Sequence, residues 1–121
     1  MTVIREDDFI QSVADALQFI SYYHPLDYIE HLGRAYEREQ SPAAKDAIAQ
    51  ILTNSRMCAE GHRPLCQDTG IVNVFLKVGM DVRWEGFDGS LEDAINEGVS
   101  KGYLNPDNVL RASVVSPPEF G

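Results

Sequence analysis

Apolar residues recur at helical spacing through the first half of the chain, then give way to a β-rich pattern. From Asp7 to Ile20, the residues Phe9, Ile10, Val13, Ala14, Leu17 and Ile20 fall on one helical face. Ser21 to His24 breaks that stripe. Pro25 sits at a helix first-turn position, where its missing N–H costs nothing. Tyr28, Ile29, Leu32, Ala35 and Tyr36 carry a second stripe. Ser41-Pro42 repeats the start signal with Ser41 as N-cap, and Ala44, Ala47, Ile48, Ile51, Leu52 and Ser55 form a third stripe. Gly61 is the predicted C-terminal stop. Three amphipathic helices joined by short connections are expected to pack on one another.

The character changes at Gly61. Arg63 to Gly70 reads as a polar loop. Ile71 to Val78 (IVNVFLKV) is rich in strand formers, and Gly79-Met80 reads as a tight turn into Asp81–Trp84, which predicts a β-hairpin. Ser90 with Asp93 forms a capping box, opening a helix that carries Leu91, Ala94, Ile95 and Val99 and ends near Gly102. Asn105-Pro106-Asp107 turns the chain, and Val109 to Val115 reads as a further strand. No repeat or low-complexity segment interrupts this order.

The predicted class is α+β: a helical portion over about 1–60, then a site loop and a β/α portion over about 61–121, all within one domain. The C-terminal run from Ser116 to Gly121 reads as a chain cut in a loop, hence as the truncated part of a larger domain. An apolar content of 44% suits a soluble globular protein. No stretch approaches the roughly 20 apolar residues that span a bilayer, and the charged start from Met1 to Asp8 lacks the apolar core of a secretory signal. A cytoplasmic setting follows. The net charge of −9, from 19 acidic and 10 basic side chains, argues against nucleic acid and anionic lipid as partners. An anionic small molecule remains compatible where a few Arg or Lys dominate the local field.

Candidate chemistry concentrates in Arg63-Pro64-Leu65-Cys66-Gln67-Asp68-Thr69-Gly70, where a thiol, an amide, a carboxylate and a hydroxyl stand in consecutive positions. Pro64 stiffens the entry, and Gly70 permits a crowded or left-handed backbone. Arg63 or His62, if close, would lower the thiol pKa. Structural readings stand beside these. A lone cysteine is more often a small buried hydrophobe, and Asp-Thr-Gly is a common turn. The seven residues between Cys58 and Cys66 match no common zinc spacing. His24 reads as a helix cap and His31 as a helix-surface residue. His62 takes no catalytic role.

The run RPLCQDTG followed by IVNVFLKVG resembles the signature of the α region of iron–sulfur hydro-lyases, the family of class I fumarate hydratases and of the α subunit of L(+)-tartrate dehydratase. Asn54-Ser55-Arg56, Leu91 to Gly98 and Leu110-Arg111-Ala112-Ser113 share the resemblance, which spans the chain from about Ala44 onward. It implies a [4Fe–4S] cluster held by three cysteines with one iron open. Cys66 matches the first of these, and the other two are expected beyond Gly121. Cys58 matches no ligand and is read as helix packing. The resemblance sets Gln67 and Asp68 at a dicarboxylate substrate, with Asp68 in proton transfer or orienting a histidine from elsewhere. Arg111 resembles an arginine that clamps a substrate carboxylate.

The leading expectation is an N-terminal fragment of a fumarate hydratase, inactive alone and homodimeric when whole. One alternative is an α segment of a tartrate dehydratase or related hydro-lyase. The other is a non-catalytic helical binding module, which would require the reading frame to stop near Gly121.

Overall fold

The computed structural model describes residues 1–66 and 71–105. Its elements run β1 (Thr2–Arg5), α1 (Glu6–Tyr22), α2 (Leu26–Arg38), α3 (Pro42–Gly61), β2 (Val82–Glu85) and α4 (Leu91–Leu104). The class is α+β, with three helices before the site loop as expected. The chain divides into two compact units, one holding Met1–Gln18 and Gln67–Gly121, the other Phe19–Cys66.

In the first unit the hairpin expectation is overturned. β2 follows a turn closed by Val82 N–H on the Gly79 carbonyl (3.4 Å), so the predicted turn is present. The strand after it pairs in parallel with β1, in the register Thr2↔Val82 to Arg5↔Glu85. β1 lies in the charged start of the chain, where Thr2, Val3 and Ile4 supply β-branched side chains. Residues 71–78 form no strand. Ile71 and Phe75 are 83% and 93% exposed. Strand-forming side chains express their preference only against a neighbouring strand and a packed face, and among the described residues this run pairs with no strand.

α1 opens with Glu6, Asp7 and Asp8 in its first turn, which suits the positive end of the helix dipole. It buries Ile10, Ala14 and Leu17, while α4 buries Ala94, Gly98 and Gly102. These two faces meet closely: a Cβ placed on Gly98 would lie 2.7 Å from Val13 Cβ. Gln18 Nε2 donates to the Gly102 carbonyl at 3.0 Å. Phe9, Trp84 and Phe87 complete the core as an aromatic cluster, with the Phe9 and Trp84 rings edge to face at 5.7 Å. The predicted capping box at the start of α4 is formed by both Ser90 and Asp93.

In the second unit α2 packs on α3. Ser41 caps α3, accepting from the Ala44 amide, with Pro42 in the first turn. Lys45 Nζ donates to the Tyr36 carbonyl at 2.7 Å and lies over the Tyr36 ring, tying the end of α2 to the start of α3. Pro25 is the N-cap of α2 rather than a residue of its first turn, and that cap has no side-chain hydrogen bond. His24 therefore does not cap the helix. Its Nδ1 lies 2.9 Å from Oγ of buried Ser55, and its ring lies 4.7 Å from that of Tyr28. His31 is on the surface of α2, as expected, 3.0 Å from Arg34 Nη2.

α3 ends at Gly61 as predicted, but the left-handed residue that ends it is His62 (φ 50°, ψ 52°). A helix usually assigns that conformation to glycine. Here the His62 ring stacks on Tyr22 at 4.6 Å, and its Nε2 lies 3.1 Å from the Tyr23 hydroxyl. These contacts hold a non-glycine residue in αL. The predicted strand at Val109 to Val115 lies outside the described residues.

Candidate active-site loop

The loop that leads to Cys66 leaves α3 through His62 and is tied back at nearly every step. Arg63 N–H donates to the Cys58 carbonyl at 3.0 Å, continuing the helix closure. Pro64 has no N–H, and its carbonyl lies 3.4 Å from Cys58 Sγ. Leu65 N–H donates to the Ser21 carbonyl at 2.8 Å, and the Leu65 carbonyl accepts from Asn54 Nδ2 at 3.2 Å. Leu65 is half-buried by these attachments. Such a segment, anchored on its backbone to two helices, is a rigid approach to the residue that follows.

That residue is Cys66. Its side chain is exposed and in no disulfide. Cys58 is its opposite, a buried free cysteine whose thiol points at the Pro64 carbonyl and lies 3.6 Å from Asn54 Oδ1. Reading Cys58 as helix packing is thus right about its burial and silent about its thiol. The nearby basic side chains have other contacts: His62 is engaged by Tyr22 and Tyr23, and the Arg63 side chain lies back over Gly61. Gln67, Asp68 and Arg111 lie outside the described residues.

Two contributors escaped the sequence reading. Asn54 and Cys58 are four residues apart, hence neighbours on one helical face. A polar pair at that spacing just before a helix stop is the signal that marks them.

The donor chemistry fits an iron–sulfur cluster in one respect. Cysteine sulfurs are its usual ligands, and Cys66 offers an accessible thiol on an anchored loop. Among the described residues no group of three or more His, Cys, Asp or Glu side chains converges as a metal site. No helix among them is long and apolar enough to cross a membrane.

Comparison with known proteins identifies the family of the chain. The family model described as fumarate hydratase (fumerase) matches residues 10–120. A Methanocaldococcus jannaschii protein, provisionally named L(+)-tartrate dehydratase subunit alpha, is 34% identical over 87% of this chain and 36% of its own length. The L(+)-tartrate dehydratase subunit alpha of Escherichia coli is 30% identical over 80% of this chain and 32% of its own length. The anaerobic class I fumarate hydratase of E. coli is 36% identical over 61% of this chain and 13% of its own. The chain thus spans about a third or less of the length of these relatives. No solved structure gives a significant match. On the family match, which covers most of its length, the chain belongs to the fumarate hydratase (fumerase) family of hydro-lyases.

Proposed function

We propose that the protein carrying these residues is a hydro-lyase acting on a small dicarboxylate, interconverting fumarate and (S)-malate, and that Cys66 is one of three thiolates holding a [4Fe–4S] cluster. The observation that carries this reading is the exposed Cys66 thiol at the end of a backbone-anchored loop, inside the family match over residues 10–120. An iron with an open position supplies Lewis acidity toward a substrate hydroxyl or carboxylate oxygen. The chain's own residues do the rest that falls to this segment. Gln67 hydrogen-bonds a substrate carboxylate or hydroxyl. Asp68 moves the proton beside the carboxylate, or orients a histidine from elsewhere that does so. Arg111 clamps a carboxylate with the paired N–H groups of its guanidinium.

One thiolate does not hold a cluster, so the remaining ligands come from outside residues 1–121, and these residues alone are inactive. We assign the whole enzyme to a reducing cytoplasm, where its thiols stay available, and to a homodimer. The acidic balance leaves nucleic acid and membrane out as partners.

A second substrate has a specific observation in its favour, since the M. jannaschii relative that covers 87% of this chain carries a tartrate dehydratase name. The test is anaerobic assay of the full-length protein on fumarate and on L(+)-tartrate. The expected result is a higher kcat/KM for fumarate. A preference for tartrate replaces the substrate, and turnover of neither overturns the reading.

A further inference from the structure

Near its end α3 carries Asn54, Ser55 and Cys58, and the structure uses these polar side chains differently. Ser55 is buried against His24. Asn54 and Cys58 instead meet the chain that has just left the helix. They take consecutive carbonyls, Cys58 the one of Pro64 and Asn54 the one of Leu65. The Leu65 N–H is held from the other side by Ser21. With φ of Pro64 fixed by its ring, few torsions remain free between α3 and Cys66.

A buried thiol that served packing alone would need volume and no acceptor. Cys58 is buried and also has a carbonyl at hydrogen-bond distance for sulfur. Asn54 is exposed, so burial does not account for it, yet its amide faces the Leu65 carbonyl.

We propose that Asn54 and Cys58 are positioning residues for Cys66, holding the Pro64 and Leu65 carbonyls from one face of α3 and so setting where the Cys66 thiol is presented. This deepens, and rests on, the assignment of Cys66 as a cluster ligand. Groups that orient a metal ligand without touching the metal typically change affinity or activity by 10- to 100-fold when lost.

The substitutions separate positioning from bulk. Asn54→Asp keeps the side-chain shape but faces the Leu65 carbonyl with an acceptor in place of a donor. Cys58→Ala removes the donor to Pro64, and Cys58→Ser restores one. The full-length protein and the variants N54D, C58A, C58S and C66A are purified anaerobically. Iron and sulfide per chain, the rate of cluster loss on exposure to air and the unfolding midpoint are measured for each.

The expected result is cluster loss about 10-fold faster or more in N54D and C58A, with unfolding midpoints near that of the parent and a near-parental rate in C58S. Parental rates in N54D and C58A, alongside an empty C66A, overturn the positioning roles and leave the ligand intact. A fast rate in C58A that follows a fallen unfolding midpoint and is not rescued in C58S also overturns them, because that is the behaviour of packing. A full cluster in C66A removes the underlying assignment, and the positioning roles with it.

Discussion

Gly98 and Gly33 both lie inside helices, and the structure predicts opposite outcomes when each becomes alanine. By helix preference alone both changes stabilise, each by about 0.5–1 kcal/mol. At Gly33 a new Cβ meets nothing within 4 Å, so that gain stands. At Gly98 the new Cβ falls 2.7 Å from Val13 Cβ, 2.9 Å from Val13 Cγ1 and 2.9 Å from the Ile10 carbonyl oxygen. Rotation of Val13 moves its Cγ1, but Val13 Cβ and the Ile10 oxygen are fixed to the backbone of α1 and move only with the helix. Overpacking of this kind costs about 1–3 kcal/mol, and a backbone obstacle puts Gly98 toward the upper part of that range. The net loss for Gly98→Ala is then roughly 1–2 kcal/mol after subtracting the helix gain. For a chain of 121 residues each kcal/mol moves the unfolding midpoint by about 4 °C. Thermal unfolding followed by circular dichroism reads both variants, with Gly33→Ala expected slightly above the parent and Gly98→Ala clearly below it. A Gly98→Ala midpoint at or above the parent's refutes the close approach of α1 and α4 on which the first unit's core is built.

Further predictions concern the second unit and the caps. In the cluster-free protein a small thiol reagent should modify exposed Cys66 in the folded state and buried Cys58 only on unfolding, so peptide mapping of the label without and with denaturant should find it on Cys66 first and on Cys58 only after unfolding. His24→Ala strips buried Ser55 of its ring partner and should cost about 1–3 kcal/mol in urea unfolding. Ser55→Ala leaves only a half-exposed imidazole that water can satisfy and should cost less, and equal losses would argue against that pairing. Ser90→Ala removes one half of the capping box on α4 and should cost about 0.5–2 kcal/mol by the same measurement.

What could be read from the chain in advance divides by the distance over which each feature is decided. The helices follow from apolar stripes within a few turns, and the caps at Ser41 and Ser90 from residues three apart. β1 escaped notice because its four residues sit in a charged start and find their partner only at Val82–Glu85, far along the chain. The same missing information bears on residues 71–78, whose composition suits a strand but which pair with no strand among the described residues. At the site, the run around Cys66 marked the loop as a candidate, and the structure exposes that cysteine. The loop's attachment to Ser21, Asn54 and Cys58 was not, since it depends on tertiary contacts. His62 shows the same limit: Gly61 does end α3, but the left-handed residue that follows is His62, in contact with two tyrosines.

Cys66 as a cluster ligand is the claim on which the proposed chemistry depends. Iron and acid-labile sulfide content of the full-length protein, purified without oxygen as the parent and as Cys66→Ala, tests it most directly. The account predicts a cluster in the parent and neither cluster nor hydratase activity in Cys66→Ala, with an unchanged far-ultraviolet circular dichroism spectrum. A Cys66→Ala protein with the parent's iron, sulfide and turnover contradicts it.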